Sequence, residues 1–190
     1  MTWTIVVIIF GISQVAIVQC CDNETMITCP RQNMTCARTI CLCRSRAPAQ
    51  YYYHMYILCL NVLDEILPDL PNTAVSIIMR GNNITTVKAG AFEGLHSIYE
   101  LYLSENTIEI IEPGAFNDLP SLSILDLSIN KLTRLMTDVF RNLAVSVINL
   151  RKNSITDIES EAFCNLPNLQ VISFEDNPIN TIRKDTFKNL

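Results

Sequence analysis

The sequence predicts an α/β solenoid, a stack of similar coils with a parallel sheet along its inner side. Phenylalanine recurs at intervals of 24, 24, 23 and 24 residues, at Phe92, Phe116, Phe140, Phe163 and Phe187. Asparagine keeps the same rhythm ten residues ahead of each phenylalanine, at Asn82, Asn106, Asn130, Asn153 and Asn177. A fixed period that two residue types share indicates a repeat architecture.

Apolar residues occupy equivalent positions in every unit. The five units fill residues 74–190 and begin at Ala74, Ile98, Leu122, Val145 and Leu169. In the second unit Leu101 and Leu103 are two residues apart, so both point to one side of a short strand. An amide is both donor and acceptor, so we expect the five asparagines to form a ladder that satisfies buried backbone groups. The phenylalanines should fill the wider outer side of the stack.

This pattern resembles the leucine-rich repeat family in its 24-residue extracellular form. The resemblance covers about two-thirds of the chain. It implies a right-handed horseshoe whose parallel sheet lines the concave face. Stability in such a stack comes from neighbouring coils, because no coil covers its own apolar face.

The first twenty residues are typical of a secretory signal peptide. They carry no charge and contain the apolar run Ile5 to Phe10, although the usual basic residue near the start is missing. A membrane anchor is the alternative, but Gly11, Ser13 and Gln14 break a stretch that is already short for a span. We therefore expect cleavage after Cys20.

Residues 21–73 are interpreted as a disulfide-stabilised N-terminal cap. After cleavage the segment holds Cys21, Cys29, Cys36, Cys41, Cys43 and Cys59. Clustered cysteines behind a signal peptide indicate disulfides in an oxidising compartment, and fifteen pairings are possible. The resemblance implies Cys36 with Cys43 and Cys41 with Cys59, which leaves Cys21 with Cys29. A zinc site at Cys36, Cys41, Cys43 and Cys59 is the competing interpretation.

The cap departs from the family pattern in the long interval between Cys43 and Cys59. This interval carries Tyr51, Tyr52, Tyr53, His54 and Tyr56. It is interpreted either as a lengthened hairpin whose tyrosines pack on the first coil or as an aromatic contact loop. No second cysteine cluster follows Leu190, so we expect no C-terminal cap and a chain that is part of a longer protein.

The sequence contains no pattern that indicates catalysis or a cofactor. His54 and His96 lie outside hydrolase and metal motifs. Sequons at Asn23, Asn33 and Asn83 are glycan acceptors in a secreted chain. Cys164 is either a partly buried free thiol or, as the odd cysteine of the mature chain, half of an intermolecular disulfide.

Strand positions that face away from the interior predict a binding surface. Its residues are Ile78, Arg80, Tyr102, Ser104, Ile124, Asp126, Ile129, Asn149, Arg151, Lys152 and Glu175. A mixture of apolar, aromatic and charged side chains favours a protein ligand. The net charge of -5 disfavours nucleic acid.

We therefore expect a recognition module that is secreted or displayed on the outside of the plasma membrane. It could reach a membrane only through a segment outside this sequence. The alternative is a structural or adhesive matrix component that associates with copies of itself.

Overall fold

The structure is a computed structural model that describes residues 40–46, 54–60, 66, 70 and 72–190. The expected signal peptide, Cys21, Cys29 and Cys36, the sequons at Asn23 and Asn33, and Tyr51, Tyr52 and Tyr53 lie outside the described residues. Among the residues described, no helix is long and apolar enough to cross a membrane.

The described residues form strands joined by turns. The strands are β1 (Ile40–Arg46), β2 (His54–Leu60), β3 (Ala74–Ile78), β4 (Thr86–Val87), β5 (Glu100–Tyr102), β6 (Ile110–Ile111), β7 (Ile124–Asp126), β8 (Arg134–Leu135), β9 (Val147–Asn149), β10 (Asp157–Ile158), β11 (Val171–Ser173) and β12 (Thr181–Ile182).

The main sheet has seven strands in the order β1-β2-β3-β5-β7-β9-β11. From β2 to β11 the neighbours are parallel, and Leu101, Leu125, Ile148 and Ile172 lie side by side at equivalent repeat positions. The chain is thus a parallel-sheet β-solenoid, and the predicted parallel sheet is confirmed. Two smaller sheets, β8-β10-β12 and β4-β6, lie on the other side of the coils.

The predicted α/β class is wrong for the described residues, because they contain no helix. Two residues four apart in each coil have a positive φ, for example Asp138 at 62° and Asn142 at 59°. An α-helix needs consecutive residues with negative φ, so a left-handed residue at these two points breaks the outer segment into turns. The other pairs are Gly90 and Gly94, Gly114 and Asp118, Glu161 and Asn165, and Asp185 and Asn189.

Stacked phenylalanines form an aromatic column through the outer side of the coils. The ring centroids are 5.9 Å apart for Phe92 and Phe116, 5.9 Å for Phe116 and Phe140, 5.1 Å for Phe140 and Phe163, and 5.5 Å for Phe163 and Phe187. The first four side chains are at most 1% exposed, whereas Phe187 is 40% exposed. Phe187 belongs to the fifth coil, and no described coil packs against its other side.

The segment before the repeats contributes an antiparallel hairpin to the main sheet. Strands β1 and β2 pair with each other, and β2 then pairs parallel with β3. The register places Cys41 opposite Cys59. Directly opposed residues have Cα atoms about 4.5–5.5 Å apart, a separation that a disulfide can bridge. The backbone is therefore compatible with the Cys41–Cys59 pair that the resemblance implies, and all three disulfides stay predictions.

Candidate binding surface on the concave sheet

The concave face is held in place by an asparagine ladder made of Asn82, Asn106, Asn130, Asn153 and Asn177. In the middle of the stack, the amide nitrogen of Asn130 donates to the carbonyl of Leu127 in its own coil and to that of Leu103 in the preceding coil, both at 3.0 Å. Its oxygen accepts the N–H of Ile108, also in the preceding coil, at 3.0 Å.

Neighbouring rungs of the ladder repeat this arrangement. The inter-coil bonds of Asn106, Asn153 and Asn177 measure 2.8 to 3.1 Å. Each asparagine thereby locks the end of its strand to the strand before it. The outward side chains consequently lie in regular columns across the sheet.

A left-handed residue precedes every rung of the ladder. These residues are Gly81 (φ 71°), Glu105 (56°), Ile129 (54°), Lys152 (51°) and Asp176 (58°). Ile129 is the unusual member, because a β-branched side chain in this conformation is a steric outlier that costs about 1–2 kcal/mol. Its side chain is 41% exposed at the edge of the sheet. The fold thus holds an exposed apolar side chain where glycine would fit without strain.

Most of the predicted surface residues are accessible on this side of the sheet. Ile78, Tyr102, Ile124, Asp126 and Asn149 are half-buried, and Arg80, Ile129, Arg151, Lys152 and Glu175 are exposed. Ser104 is the exception, because it is only 4% exposed. The prediction that Ser104 is presented to solvent is wrong, since a short hydroxymethyl group does not reach as far as the arginines at equivalent positions.

The two arginines of the face are paired with acids from the next coil. Arg80 forms an ion pair with Glu105, which lowers the pKa of Glu105 and raises that of Arg80. Arg151 contacts Glu175 at 2.9 Å and Asp176 at 3.7 Å. These pairs join residues about 25 positions apart in the sequence, which sequence reasoning could not foresee.

Tyr102 lies at the centre of the face between two carboxylates. Asp126 is its neighbour across the sheet, and Glu100 precedes it by two residues on the same side of the same strand. Burial is the main cause that raises the pKa of Tyr102, and the charges of Glu100 and Asp126 raise it further. The oxygen Oδ1 of Asp126 also accepts the N–H of Ser128 at 3.0 Å.

Two features of the outer surface were missed by sequence reasoning. Arg134, Asp157 and Arg183 join three coils, and Asp157 contacts Arg134 at 3.4 Å and Arg183 at 2.9 Å. A second, exposed series of asparagines links Asn142, Asn165 and Asn189 through side-chain bonds of 3.1 and 3.0 Å. Recurrence of asparagine at the second left-handed position of the last three outer segments would have indicated this series.

The second asparagine series borders an open groove on the flank of the coils. Its volume is about 990 Å³, and its lining includes His96, Pro120, Arg141 and Pro167. The imidazole Nδ1 of His96 lies 3.2 Å from the carbonyl oxygen of Asp118. His96 is therefore one polar group of an exposed surface and, in the described part of the chain, has no acidic side chain to orient it for catalysis.

Cys164 forms no disulfide with another described residue and is only 3% exposed. It follows Phe163 on the outer side of the fourth coil and is enclosed by the core. The free thiol and the intermolecular disulfide both stay predictions. An intermolecular disulfide would first require this part of the coil to open.

Cys36 of the competing zinc interpretation lies outside the described residues, so that interpretation stays untested. No group of three or more histidine, cysteine, aspartate or glutamate side chains in the described part of the chain could hold a metal ion. Asn83, the sequon asparagine within this part, is exposed directly after the first strand of the repeats, and so is Thr85.

Comparison with protein-family models identifies the repeat. The leucine rich repeat model matches residues 74–132 and 144–190, which together make up more than half of the chain. The chain belongs to the leucine-rich repeat family. Proteins of this family are typically non-enzymatic and bind other proteins, which agrees with the accessible mixed surface of this leucine-rich repeat chain.

The leucine-rich repeat chain also resembles solved structures. One of them is the "Crystal structure of TLR13-ssRNA13 complex", with 27% sequence identity and a TM-score of 0.56. The match covers 65% of this chain and 18% of that chain, so this chain spans less than a fifth of the protein it resembles. The comparison with curated proteins found no match.

Proposed function

We propose that this leucine-rich repeat chain is an extracellular recognition module that binds a protein partner through its concave face. The observation that carries the proposal is the composition of that face. An aromatic side chain, Tyr102, lies among half-buried Ile78 and Ile124, and charged side chains surround them. Protein-binding surfaces commonly place aromatic anchors inside a polar rim.

Likeness to the TLR13 structure supports recognition and leaves the ligand open. In that structure TLR13 is in complex with ssRNA13, an RNA partner of that protein. On the repeat part of this sheet, from β3 to β11, there are three cations, Arg80, Arg151 and Lys152, and five acids, Glu100, Glu105, Asp126, Glu175 and Asp176. A face with excess acid repels phosphates, so a protein partner is favoured over RNA.

Extracellular location is part of the proposal and depends on the sequence features at the N-terminus. A signal peptide, the three disulfides and glycans at Asn23, Asn33 and Asn83 would all belong to a chain made in the secretory pathway. Exposure of Asn83 and the register of Cys41 with Cys59 are compatible with that route. The protein would be secreted or carried on the outside of the plasma membrane.

The test compares two double variants of the full chain. Tyr102→Ala with Arg151→Glu alters the concave face, whereas Ile110→Ala with Lys184→Glu makes a matched change on the other side of the coils. Each protein is immobilised and used to capture partners from extracellular extracts, and captured proteins are identified by mass spectrometry. We expect the concave variant alone to lose the partner. Capture that survives in this folded variant would refute the concave face.

Self-association in an adhesive matrix is the competing function. The apolar side chains Ile182 and Leu190 of the fifth coil are 57% and 56% exposed, which would suit contact between copies. Burial of Cys164 removes the simplest covalent route to such a dimer. Sedimentation of the purified chain separates the two: a monomer at micromolar concentration supports recognition, and a stable oligomer supports the matrix function.

A further inference from the structure

The concave face has an acidic centre, which we define as Glu100, Tyr102 and Asp126. Within residues 72–190, Glu100 and Asp126 form no ion pair, although Arg80 lies near enough for the charge of Asp126 to raise its pKa. All three side chains are half-buried, so water screens the two carboxylates only in part. The centre therefore carries negative charge that no ion pair within residues 72–190 neutralises.

The two arginines of the repeat coils on this face already form ion pairs with other acids. Arg80 is held by Glu105, and Arg151 is held by Glu175 and Asp176. Lys152 is exposed at the edge of the sheet, one position beyond Arg151 and outside the strand. The charge that remains for a partner in the middle of the face is consequently acidic.

Ser76 adds a hydrogen-bonding group beside the centre. It is the register neighbour of Glu100 and lies on the same side of the sheet. The residue is 1% exposed, and its hydroxyl has no hydrogen-bond partner among the residues described. A buried hydroxyl without a hydrogen-bond partner is unusual, and at 1% exposure a partner would reach it only if the neighbouring side chains move.

The spacing of Glu100 and Asp126 suits a large organic cation better than a bare metal ion. Glu100 and Asp126 are on adjacent strands and two residues apart along them, so their backbone positions are about 8 Å apart. In the described part of the chain, no group of three or more histidine, cysteine, aspartate or glutamate side chains is placed to hold a metal ion. A guanidinium or ammonium group can instead lie over the Tyr102 ring and interact with carboxylates on two sides.

We propose, as an extension of the proposed protein-binding function, that the acidic centre binds a lysine or arginine side chain of a basic segment on the partner. The ring of Tyr102 contacts the cation, Glu100 and Asp126 neutralise it, and Ile78 and Ile124 cover the aliphatic part of the side chain. Charge complementarity selects this partner over an acidic peptide or a nucleic acid.

A hexa-arginine peptide labelled with fluorescein is the probe, and binding is followed by fluorescence anisotropy with the full chain. The variant Glu100→Gln with Asp126→Asn removes both charges at constant size. Asp118→Asn with Glu109→Gln is the control, because it removes the same charges from exposed positions elsewhere. We expect the site variant to weaken binding by about tenfold and the control by less than about threefold. If both variants lost the same amount of affinity, the change in net charge alone would explain the result, and the proposal would be overturned.

The pKa of Tyr102 gives a second measurement, which should not change if Tyr102 has only a structural role. The pKa of Tyr102, followed as the difference in phenolate absorbance between the native chain and Tyr102→Phe, should fall when the peptide binds. The cation then compensates the two carboxylates that raise it. If the pKa of Tyr102 did not change in the saturated complex, the cation would not lie over the Tyr102 ring, and that part of the proposal would be overturned. Stronger binding of a single-stranded oligonucleotide than of the peptide would overturn the choice of a basic partner.

The two proposals fail in distinguishable ways. If Tyr102→Ala with Arg151→Glu loses the captured partner and Glu100→Gln with Asp126→Asn keeps it, the concave face binds protein without using the two carboxylates of the acidic centre. If both variants keep the partner, the binding function assigned to the concave face is itself wrong. Loss of the partner in both variants supports the acidic centre.

Discussion

Replacing Asn130 by leucine should destabilise the stack through one specific group. Leucine has the same branched skeleton as asparagine but is bulkier, and all polar contacts of the side chain are lost. The carbonyls of Leu103 and Leu127 each keep another partner, at 3.0 Å from Asn106 and Asn153 respectively. The N–H of Ile108 loses the oxygen of Asn130 and has no other acceptor within the described coils. A buried N–H without an acceptor costs about 1–3 kcal/mol.

Loss of the donated hydrogen bonds adds to this cost, so the free energy of unfolding should fall by about 2–4 kcal/mol. For a repeat region of this size, 1 kcal/mol corresponds to roughly 4 °C, so Tm should fall by about 8–16 °C. Thermal unfolding followed by circular dichroism measures the shift. Asn168→Leu is the control, because Asn168 is exposed and makes one bond, to Ala144. If Asn130→Leu lowers Tm no more than Asn168→Leu does, the account of the ladder is refuted.

Three further predictions concern the outer side of the coils and the sequon. Phe140→Ala should lower the free energy of unfolding by about 3–5 kcal/mol, since it removes a fully buried ring from the column; equal stability in chemical denaturation would contradict this. The N–H and hydroxyl of Thr137 lower the pKa of Glu159. Its contribution to stability is therefore present above the ordinary value of 4.5 and is lost as pH falls through the lowered pKa. Unfolding midpoints of native chain and Glu159→Gln should converge below that pH, and a constant difference down to about pH 2 would argue otherwise. Asn83→Gln should remove one glycan from chain secreted by cultured cells, seen as faster electrophoretic migration; identical migration would show that Asn83 is unmodified.

The repeat pattern predicted the inner part of the fold because period and burial coincide there. Leu101 and Leu103 occur at the same interval as Leu125 and Leu127, and all four are fully buried. The asparagine spacing likewise located the hydrogen bonds that join the coils. Both features recur in every unit, so five weak signals reinforce one another.

The outer side was predicted less well because its structure depends on which residues adopt a positive φ, and the sequence does not state this directly. Asp138 and Asn142 belong to residue types that tolerate a positive φ, yet the same types are common in exposed helical turns. Apolar spacing around Phe140 alone does not distinguish these two possibilities. The helix implied by an α/β class was therefore wrong for the described coils, and turns take its place.

Pairing on the concave face could not be predicted from composition. Arg151 was expected to be available to a partner, whereas the fold brings Glu175 and Asp176 against it. Ser104 was expected at the surface and is buried. Both outcomes depend on which side chains the stacking places together, and the residues concerned differ from coil to coil.

The direction of the asparagine ladder has a consequence for how such a chain can change over generations. The ladder asparagine of each coil bonds backbone groups of the coil before it. Each coil therefore presents the same backbone groups to the coil that follows it. The third unit is a residue shorter than the first, second and fourth, because Val145 follows Leu143 by two positions where Leu122 follows Leu119 by three. The bonds of Asn153 across this unit nevertheless measure 3.0 and 3.1 Å. Whole coils can therefore be duplicated or lost, and small length errors absorbed in turns, while the outward residues vary independently of the interior.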